Sequence, residues 1–380
     1  MTKPRLRAAH AALAVAFIAF GAIDGAWTAR LPAVKDQLRL DSGELGIAIF
    51  AVSATATLML TPAGLLASRR GSRTPILLGL FIAAGGLTFA AFAASLGPLV
   101  LAACVLGAGI GITDVGANAH GVAVEQRLGR PVLSALHGAW SSGLLAGSAL
   151  AAAVAAWGIG YRANYTAVAI AVVVLALLVW ARLLPGAEDV ATDSAHFALP
   201  RGPLALPAAL TFASMFVESA TMNWSAVFLA GPVGASAAVA AGGVVAFSIA
   251  MLVARLVGDP LTARWGVSGL ARRGGTLVVA GMVLALATRS AVPALLGFAL
   301  VGAGCAAIVP ALFRVAASAP GVSSGAGIAA VATAGYTGGV VNGPTIGFLA
   351  RGVGLTWAMS VIGVAGAVIA LLGPRLGSRL

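Results

Sequence analysis

The sequence predicts an all-α polytopic membrane protein with twelve transmembrane helices in two six-helix bundles. Of its 380 residues, 60% are hydrophobic and only 9% are charged, whereas a soluble domain carries about 25% charged residues. The apolar residues form twelve runs, each long enough to cross a bilayer, which takes about 20 helical residues. One long polar segment near the middle of the chain separates six of these runs from the other six.

Short connections join the twelve runs, apart from the polar segment between Pro185 and Pro203. We interpret that segment as a cytoplasmic linker. The predicted divisions are therefore an N-terminal six-helix bundle over 1–184, a linker over 185–203 and a C-terminal six-helix bundle over 204–380. The predicted spans are 8–30, 44–67, 75–94, 97–121, 133–157, 163–183, 205–229, 236–257, 270–288, 291–314, 323–350 and 353–373.

Positive charge sets the expected orientation. Most of the 23 lysines and arginines fall in connections that share a side with the N-terminus, and such an excess marks the cytoplasmic side. We therefore expect both termini in the cytoplasm, in the bacterial cytoplasmic (inner) membrane. The net charge of +12 has the same cause, so we expect no nucleic-acid partner. The N-terminal run mimics a signal peptide after Lys3, but it continues to Arg30, which is too long for one.

Cysteine and histidine are too scarce to build a reactive centre. Cys104 and Cys305 lie in separate apolar runs without metal-ligand spacing, and the four histidines are scattered. A polytopic membrane enzyme would need a catalytic cluster at one interface. We therefore expect that the protein is not an enzyme and binds no metal or cofactor. We expect a monomer whose partners are a small solute, protons and the lipid bilayer.

The two halves repeat one another at a shift of 195 positions. The most informative match is an Arg-x-Gly sequence, because both copies lie in the loop after the second span of a half. Six plus six spans with a parallel repeat is a transporter architecture. The matches place Arg69 on Arg264, Gly71 on Gly266, Gly107 on Gly302, Gly109 on Gly304 and Gly143 on Gly338.

The repeated loop resembles the signature loop of the major facilitator superfamily, Gly-x-x-x-Asp-Arg-x-Gly-Arg-Arg/Lys. Ser68 stands where that signature has Asp. The resemblance covers the whole chain and implies the major facilitator fold, working by alternating access. It also implies a charge-paired cytoplasmic latch, although these arginines could equally serve only to set topology. The predicted gating loop residues are Gly64, Arg69, Gly71, Arg73, Asp259, Arg264 and Gly266.

Three acids lie inside predicted spans, namely Asp24, Asp114 and Glu218. An ionised side chain in hydrocarbon costs roughly 2.5–3.5 kcal/mol on insertion scales, so it is a functional hypothesis by default. We predict proton coupling by these acids; the alternative is a neutral acid that only holds helices together. Counting from the span ends places Asp24 outward and Asp114 inward of the middle, so we do not expect a direct pair.

The fourth span carries a narrower resemblance. Gly-x-x-Asp114-x-x-x-Asn118 is similar to the fourth helix of fucose–proton symporters, which also have an Asp before a Leu-Pro turn in the first helix, as Asp24 precedes Leu31-Pro32. The run that extends to Trp140 resembles a poorly characterised bacterial branch of the superfamily. This resemblance implies a transporter without naming its cargo.

Polar and aromatic residues in the spans are candidates for the solute site. A tryptophan or tyrosine offers a face to stack on and a donor, but Trp27 and Trp224 also fit an interfacial belt, and His137 also fits a helix-end packing role. We further predict that Gly343-Pro344 breaks the eleventh span as a gating hinge. The predicted substrate-binding residues are Trp27, Asn118, His137, Trp140, Asn223, Trp224, Tyr336 and Asn342.

These observations predict a secondary transporter, with proton-coupled symport of a small polar solute such as a sugar as the leading function. The alternative is proton-driven efflux of drugs or amphipathic compounds, although the fifth span lacks the Gly-Pro-x-x-Gly-Gly pattern of drug–proton antiporters. Val309 stands at the repeat position of Asp114. We therefore expect a division of labour, in which the first bundle handles the proton and the second contributes more of the solute site. His120 is expected at the cytoplasmic interface.

Overall fold

The computed structural model describes residues 3–130, 132–185 and 200–378, so most of the predicted linker lies outside the described residues. The described part is helical throughout, with no strand. Fifteen α-helices follow one another: α1 Lys3–Ala29, α2 Leu31–Leu38, α3 Ser42–Arg70, α4 Arg73–Phe92, α5 Leu96–Leu128, α6 Leu133–Ala156, α7 Tyr161–Trp180, α8 Ala205–Ala230, α9 Ala237–Leu256, α10 Gly258–Ala287, α11 Ala291–Cys305, α12 Ile308–Ala317, α13 Ser324–Val353, α14 Leu355–Ala358 and α15 Ser360–Leu372.

Eleven helical segments of the described chain are long and apolar enough to cross a membrane. They include every predicted span except the eleventh. That span corresponds to α13, which is 30 residues long and is less apolar because it is rich in glycine. The all-α membrane fold is therefore confirmed, with helix ends usually within a few residues of the prediction.

Two breaks differ from expectation. The helix α13 runs through Gly343-Pro344 without interruption, so the predicted break there is wrong. Proline is tolerated inside membrane helices because neighbouring groups can satisfy the freed carbonyl. The tenth span is instead divided at Ala306 and Ala307, between α11 and α12, while both residues keep right-handed helical φ and ψ and the span Ala291–Ala317 is continuous. Neither residue is a helix breaker, so the local change was not predictable from residue type.

The chain forms two compact units. The first contains the described residues of Met1–Val34 and Ala51–Ser194, and the second contains Lys35–Phe50 and the described residues of Ala195–Leu380. In the first unit, α1 packs on α6 and α4 packs on α5. In the second unit, α8 packs on α13, and α11 packs on both α9 and α10. The predicted division at the linker remains a prediction.

Local chemistry explains several helix ends. The Ser236 and Ser323 hydroxyls accept hydrogen bonds from the first turns of α9 and α13, which is what an N-cap side chain does. Gly71 and Gly266 have φ of 75° and 65°, a left-handed conformation that glycine adopts without strain. The predicted repeat of these two glycines therefore coincides with the same sharp turn in both halves.

Close backbone contacts repeat at the predicted shift. A Cβ on Gly107 would lie 2.1 Å from the Val52 carbonyl oxygen, and a Cβ on Gly302 would lie 2.4 Å from that of Phe247. Both members of the second pair are 195 positions beyond those of the first. The pair Gly79–Gly109 recurs in the same way as Gly274–Gly304. The sequence repeat is therefore also a repeat of helix contacts.

Candidate functional site

Glycines bring the first intramembrane acid to its partner. A Cβ on Gly21 or Gly25 of α1 would lie 2.1 or 2.2 Å from backbone oxygens of α6, and Gly143 of α6 approaches the α1 backbone equally closely. Small residues allow such close helix approach in a membrane. The approach seats Asp24 of α1 against Trp140 of α6.

Asp24 accepts a hydrogen bond of 3.2 Å from the Trp140 indole N–H to its Oδ2. The Asp114 carboxyl lies within range for the two charges to interact. Asp24 forms no ion pair with any described residue. The first unit therefore holds Asp24 with a neutral donor and a second acid, which is an arrangement that can take up and release a proton.

Asp114 is held by the amide one turn later, as the sequence spacing suggests. The Asn118 Nδ2 donates to both Asp114 Oδ1 and the Asp114 carbonyl oxygen, each at 2.9 Å. The His137 ring stacks edge-on against Phe17 at 5.8 Å between centroids. His137 is exposed, whereas Asp114, Asn118 and Trp140 are half-buried, so the polar residues of α5 and α6 are accessible.

At the C-terminal end of α1, aromatic and cationic side chains are buried between helices. Trp27 is buried against Tyr165, whose hydroxyl donates to the Trp27 carbonyl oxygen. The Arg30 guanidinium is also buried and donates to the carbonyl oxygens of Ala151 and Ile159. Burial lowers the pKa of Arg30 from its ordinary value. Trp27 therefore packs between helices here and is not open to a solute.

The second unit places its acid against a cation. Glu218 lies in the middle of α8, and its Oε1 pairs with Arg255 Nη2 at 3.3 Å. The Arg255 Nε–H also points at the Ala306 carbonyl oxygen at 3.5 Å, at the turn between α11 and α12. The sequence analysis did not select Arg255 as a site residue, because an arginine shortly before a polar turn reads as a topology signal.

The two predicted amides of the second unit meet. Asn223 Nδ2 donates to Asn342 Oδ1 at 3.3 Å, and Asn342 in turn donates to the Gly339 carbonyl oxygen. Asn342 is fully buried, whereas Asn223 and Tyr336 are half-buried. Trp224 is fully buried, so its ring belongs to a helix interface in this conformation.

The glycine contacts also show which acids are equivalent. Gly143 approaches Ile18, and its counterpart Gly338 approaches Phe212, so α8 follows α1 at a shift of 194. That shift carries Asp24 onto Glu218. The sequence analysis, with a uniform shift of 195, missed this equivalence and treated the first-span acid as particular to one half.

Comparison with known proteins decides the family. The sequence profile of the Major Facilitator Superfamily matches residues 12–211. An uncharacterised MFS-type transporter of Yersinia pestis is 31% identical over 94% of this chain and 91% of its own length. The chain belongs to the Major Facilitator Superfamily. The predicted family is thus confirmed, and the protein is a transporter rather than an enzyme.

Further relatives agree with this membership. Membrane protein MosC of Rhizobium meliloti is 30% identical over 97% of this chain and 90% of its own length. The nucleoside transporter NupG superimposes with a TM-score of 0.75 at 15% identity, over 97% of this chain and 98% of that one. A D-xylose-proton symporter reaches 0.78 at 13% identity, over 98% and 97%. At these identities the two structures show the superfamily fold alone.

The superfamily's signature loops are present as turns. Arg69 and Arg264 are exposed, and neither forms an ion pair with a described residue. Arg73 stacks on the Trp180 ring, with 3.7 Å between guanidinium carbon and ring centroid. The backbone of Asp259 is in α10, but its side chain lies outside the described part, as does any pairing it makes. A Cβ on Gly64 would meet no atom within 4 Å. The described residues do not test the latch, which remains a prediction.

Two residues beside the first signature loop have structural roles that sequence reasoning missed. His120 is fully buried within the protein, and its expected position at the cytoplasmic interface stays a prediction. Its Nε2 accepts from the Leu184 N–H, and its Nδ1 lies 2.7 Å from Ser72 Oγ. Glu125 accepts from the N–H groups of Val132 and Leu133 at the start of α6. Both roles depend on partners that only folding brings together.

The start of α3 forms a polar contact in the second unit. Asp41 and Glu44 make reciprocal hydrogen bonds to each other's backbone N–H, which is a capping box. Asp41 Oδ1 also accepts from Arg351 Nε at 2.8 Å. This hydrogen bond lowers the pKa of Asp41 below its ordinary value of 3.8. Beside it, Gly46 and Gly343 let the α3 and α13 backbones touch.

Proposed function

We propose that this superfamily member is a proton-coupled symporter of a small polar solute, in the bacterial cytoplasmic membrane with both termini in the cytoplasm. It would work as a monomer by alternating access, with six-helix bundles over 1–184 and 204–380 joined by the linker over 185–203. The observation that carries the proposal is the Asp24 site, where a membrane acid faces a neutral donor and a second acid.

Asp24 and Asp114 would hold the transported proton. A carboxyl without a cationic partner in a low-dielectric place favours its neutral form, and two neighbouring acids oppose double ionisation. Trp140 can donate to Asp24 whether that carboxyl is charged or neutral, because one oxygen remains an acceptor in both states. The geometry therefore suits proton gain and loss without rearrangement of α1 against α6.

The proposed candidates for solute binding are polar groups of each unit, taken separately. In the first unit these are Asn118, His137 and Trp140, which are exposed or half-buried. In the second unit they are the half-buried Asn223 and Tyr336, together with the fully buried Asn342, which is hydrogen-bonded to Asn223. Amides and an indole N–H suit a hydroxylated solute, since they offer donors and acceptors without charge. Trp27 and Trp224 would contribute only in another conformation, because both rings are buried here.

Proteoliposomes test this proposal directly. Counterflow of a panel of labelled sugars, nucleosides and amino acids should identify an exchanged solute, and an imposed inward proton gradient should concentrate it. Asp24→Asn should abolish that accumulation while counterflow persists. Asp36→Asn is the matched control, because Asp36 is an exposed acid outside the spans.

Two results would argue for other functions. If Asp24→Asn also removes counterflow, then Asp24 serves binding or structure rather than proton coupling. If an opposed proton gradient expels an amphipathic dye and no polar solute exchanges, the alternative of proton-driven efflux applies. The fold of the D-xylose-proton symporter supports the symport version only by analogy, at an identity that carries no information on cargo.

A further inference from the structure

An arginine and a tryptophan of the first unit meet where α4 begins and α7 ends. Arg73 is the first residue of α4 and Trp180 is the last residue of α7, and the two helices pack against each other. The Arg73 guanidinium carbon lies 3.7 Å from the centroid of the Trp180 ring. Stacking on an aromatic face fixes the plane of a guanidinium and leaves its edge of N–H donors free to bind an anion. The contact therefore presents a preorganised cation at the end of two membrane helices.

The donors of Arg73 have no acceptor within the part of the chain that the structure describes. Its Nε is enclosed by protein and bonds to no described residue. Its two Nη atoms also bond to none, but they are open to the surroundings. Charge-assisted hydrogen bonds from an arginine fork are among the strongest that a protein makes. The guanidinium edge is therefore available to an anion that comes from outside the described chain.

Three further arginines lie at the same end of the unit. Arg69 and Arg70 end α3, directly before the turn into α4, and Arg182 follows Trp180 by two residues. All three side chains are exposed, and none of them pairs with a described acid. Because these like charges repel one another, an anion bound among them is attracted by several cations at once. The patch therefore favours an anion over a neutral or zwitterionic group.

The first turn of α4 adds to this positive field. Its N-terminus carries the positive end of the helix dipole, where a cation such as Arg73 is disfavoured and an anion is favoured. Ser72 precedes the helix but gives it no side-chain cap. Its hydroxyl lies 2.7 Å from the Nδ1 of His120 instead. The side chain that usually satisfies the start of a helix is therefore engaged elsewhere.

Exposed apolar side chains continue from the pair along both helices. In the turn of α4 after Arg73, Leu78 is 42% exposed, and in the turn of α7 before Trp180, Leu177 is 58% exposed. Val174, one turn further back in α7, is 48% exposed. Both helices are long and apolar enough to cross a membrane. An apolar strip beside a cationic head is the surface that an anionic lipid fits, since it meets both the headgroup and the acyl chains.

From this arrangement we propose that Arg73 and Trp180 form a binding site for an anionic phospholipid such as a phosphatidylglycerol. The lipid phosphate contacts the guanidinium edge, and the acyl chains lie along Leu78 and Leu177. A free phosphate ion shares the first contact but not the second, and a zwitterionic phospholipid brings an ammonium group among the arginines. The site goes beyond the transport function proposed above and does not depend on it.

Lipid titrations of the purified, delipidated protein in detergent test the proposal. The probes are palmitoyl-oleoyl phosphatidylglycerol, the phosphatidylcholine with the same two chains, and glycerol 3-phosphate, which carries the phosphate without chains. The measurements are the melting temperature and the lipid retained in native mass spectrometry. The phosphatidylglycerol should bind roughly tenfold more tightly than the phosphatidylcholine, because it adds no cation to the patch. It should raise the melting temperature by mass action, whereas glycerol 3-phosphate at the same concentrations should not.

Variants of the pair locate the site. Arg73→Gln removes the charge and Trp180→Leu removes the stacking face, so each should lose most of the preference for phosphatidylglycerol. Arg73→Lys keeps the charge but not the planar fork and should lose most of it as well. Arg162→Gln is the matched control and should keep the preference, since Arg162 is an exposed arginine at the opposite end of α7. A monodisperse elution peak shows that each variant has folded, and Arg73→Lys serves if Arg73→Gln has not.

Several outcomes would overturn the inference. It is wrong if the two phospholipids bind equally, or if Arg73→Gln keeps the preference. Wild-type binding by Arg73→Lys would show that positive charge in general is sufficient, and an equal rise with glycerol 3-phosphate would assign the site to a free anion.

The acids of the linker are the remaining competitor for these arginines, because Glu188 and Asp189 follow α7 in the sequence. A preference for phosphatidylglycerol that appears only in the double variant Glu188→Gln/Asp189→Asn would show that these acids, and not a lipid, neutralise the patch. Every readout is lipid binding, so none of these failures touches the transport proposal.

Discussion

In the first unit the acid of α1, Asp24, faces an indole and a second acid; in the second unit the acid at the equivalent position of α8, Glu218, faces an arginine. The partners come from different helices. Gly335 replaces Trp140 in the second unit, and Leu60 replaces Arg255 in the first. The first unit thus has the indole partner but no counterpart of Arg255, and the second has Arg255 but no counterpart of the indole. One unit therefore holds a carboxyl suited to protonation, and the other holds a carboxylate paired with a cation.

The largest expected effect comes from the glycines that both halves share. Gly143→Val and Gly338→Val each put side-chain carbons where a backbone oxygen lies 2.1 or 2.2 Å from the Cβ position. Overpacking typically costs about 1–3 kcal/mol and more where backbone must move. We expect both variants to lose most of their monodisperse protein in size-exclusion chromatography.

Other glycines of the same two helices are the controls. Gly138 of α6 and Gly325 of α13 have nothing within 4 Å of the Cβ position, so Gly138→Val and Gly325→Val should elute normally. If Gly143→Val loses its monodisperse peak and Gly338→Val keeps it, the repeated glycine contact does not contribute equally to stability in the two halves.

A double-mutant cycle on Glu218 and Arg255 should give the next largest effect. Glu218→Gln removes the carboxylate that Arg255 contacts, and Arg255→Met removes the cation that Glu218 contacts, so each single variant should melt at a lower temperature. The double variant should recover part of the loss, with a coupling of about 1–3 kcal/mol, as for residues in contact. Additive losses in chemical or thermal denaturation would show that the pair contributes no stability.

Asp24→Asn should behave differently from Glu218→Gln in stability. An asparagine at 24 still accepts the Trp140 hydrogen bond through Oδ1, and no described cation pairs with the carboxyl that it replaces. We expect its melting temperature to equal or exceed that of wild type, whereas Glu218→Gln should cost about 1 kcal/mol, as a typical destabilising substitution does. Equal destabilisation by both would mean that Asp24 also depends on an ionic partner.

The smallest effect is expected at the exposed pair of Asp41 and Arg351. Exposed ion pairs contribute about 0.2–1 kcal/mol, and Asp41→Asn keeps an amide oxygen for the cap of α3. Because the folded pKa of Asp41 is lowered, its contribution is present above the ordinary value of 3.8 and is lost only as pH falls through the lowered one. The melting difference between Asp41→Asn and wild type should therefore be constant from pH 5 to 8. A change across that range would assign the effect to another group.

The sequence predicted the spans well because apolar runs and their polar connections define membrane helices directly. The fourth predicted span, 97–121, lies inside α5, and the sixth, 163–183, overlaps α7. The pairing of Asp114 with Asn118 was also predictable, since it needs only one helical turn. Partners from distant helices were not, and Arg255 is the clearest case, because hydropathy shows neither its depth nor its direction.

Single-position arguments failed where packing decides. Pro344 suggested a break, yet Gly343 beside it packs closely on Gly46 and the helix continues. Ala306 and Ala307 gave no signal, yet the regular helix changes there into a two-residue turn between α11 and α12. The equivalence of Asp24 and Glu218 was hidden by one residue, since the first helices of the two halves align at 194 and not 195. The backbone contacts of Gly143 with Ile18 and of Gly338 with Phe212 identified that difference, and a count of residues could not.

The shared glycine contacts have a consequence for how such a protein can change over evolutionary time. Glycines bring the helices of each half together, and the contact of Gly143 with Ile18 recurs as that of Gly338 with Phe212. These two contacts are kept although the matching positions Trp140 and Gly335 differ. A gene with this construction can accept new polar residues in one half while the other half keeps its chemistry, which gives duplicated halves a route to new cargo.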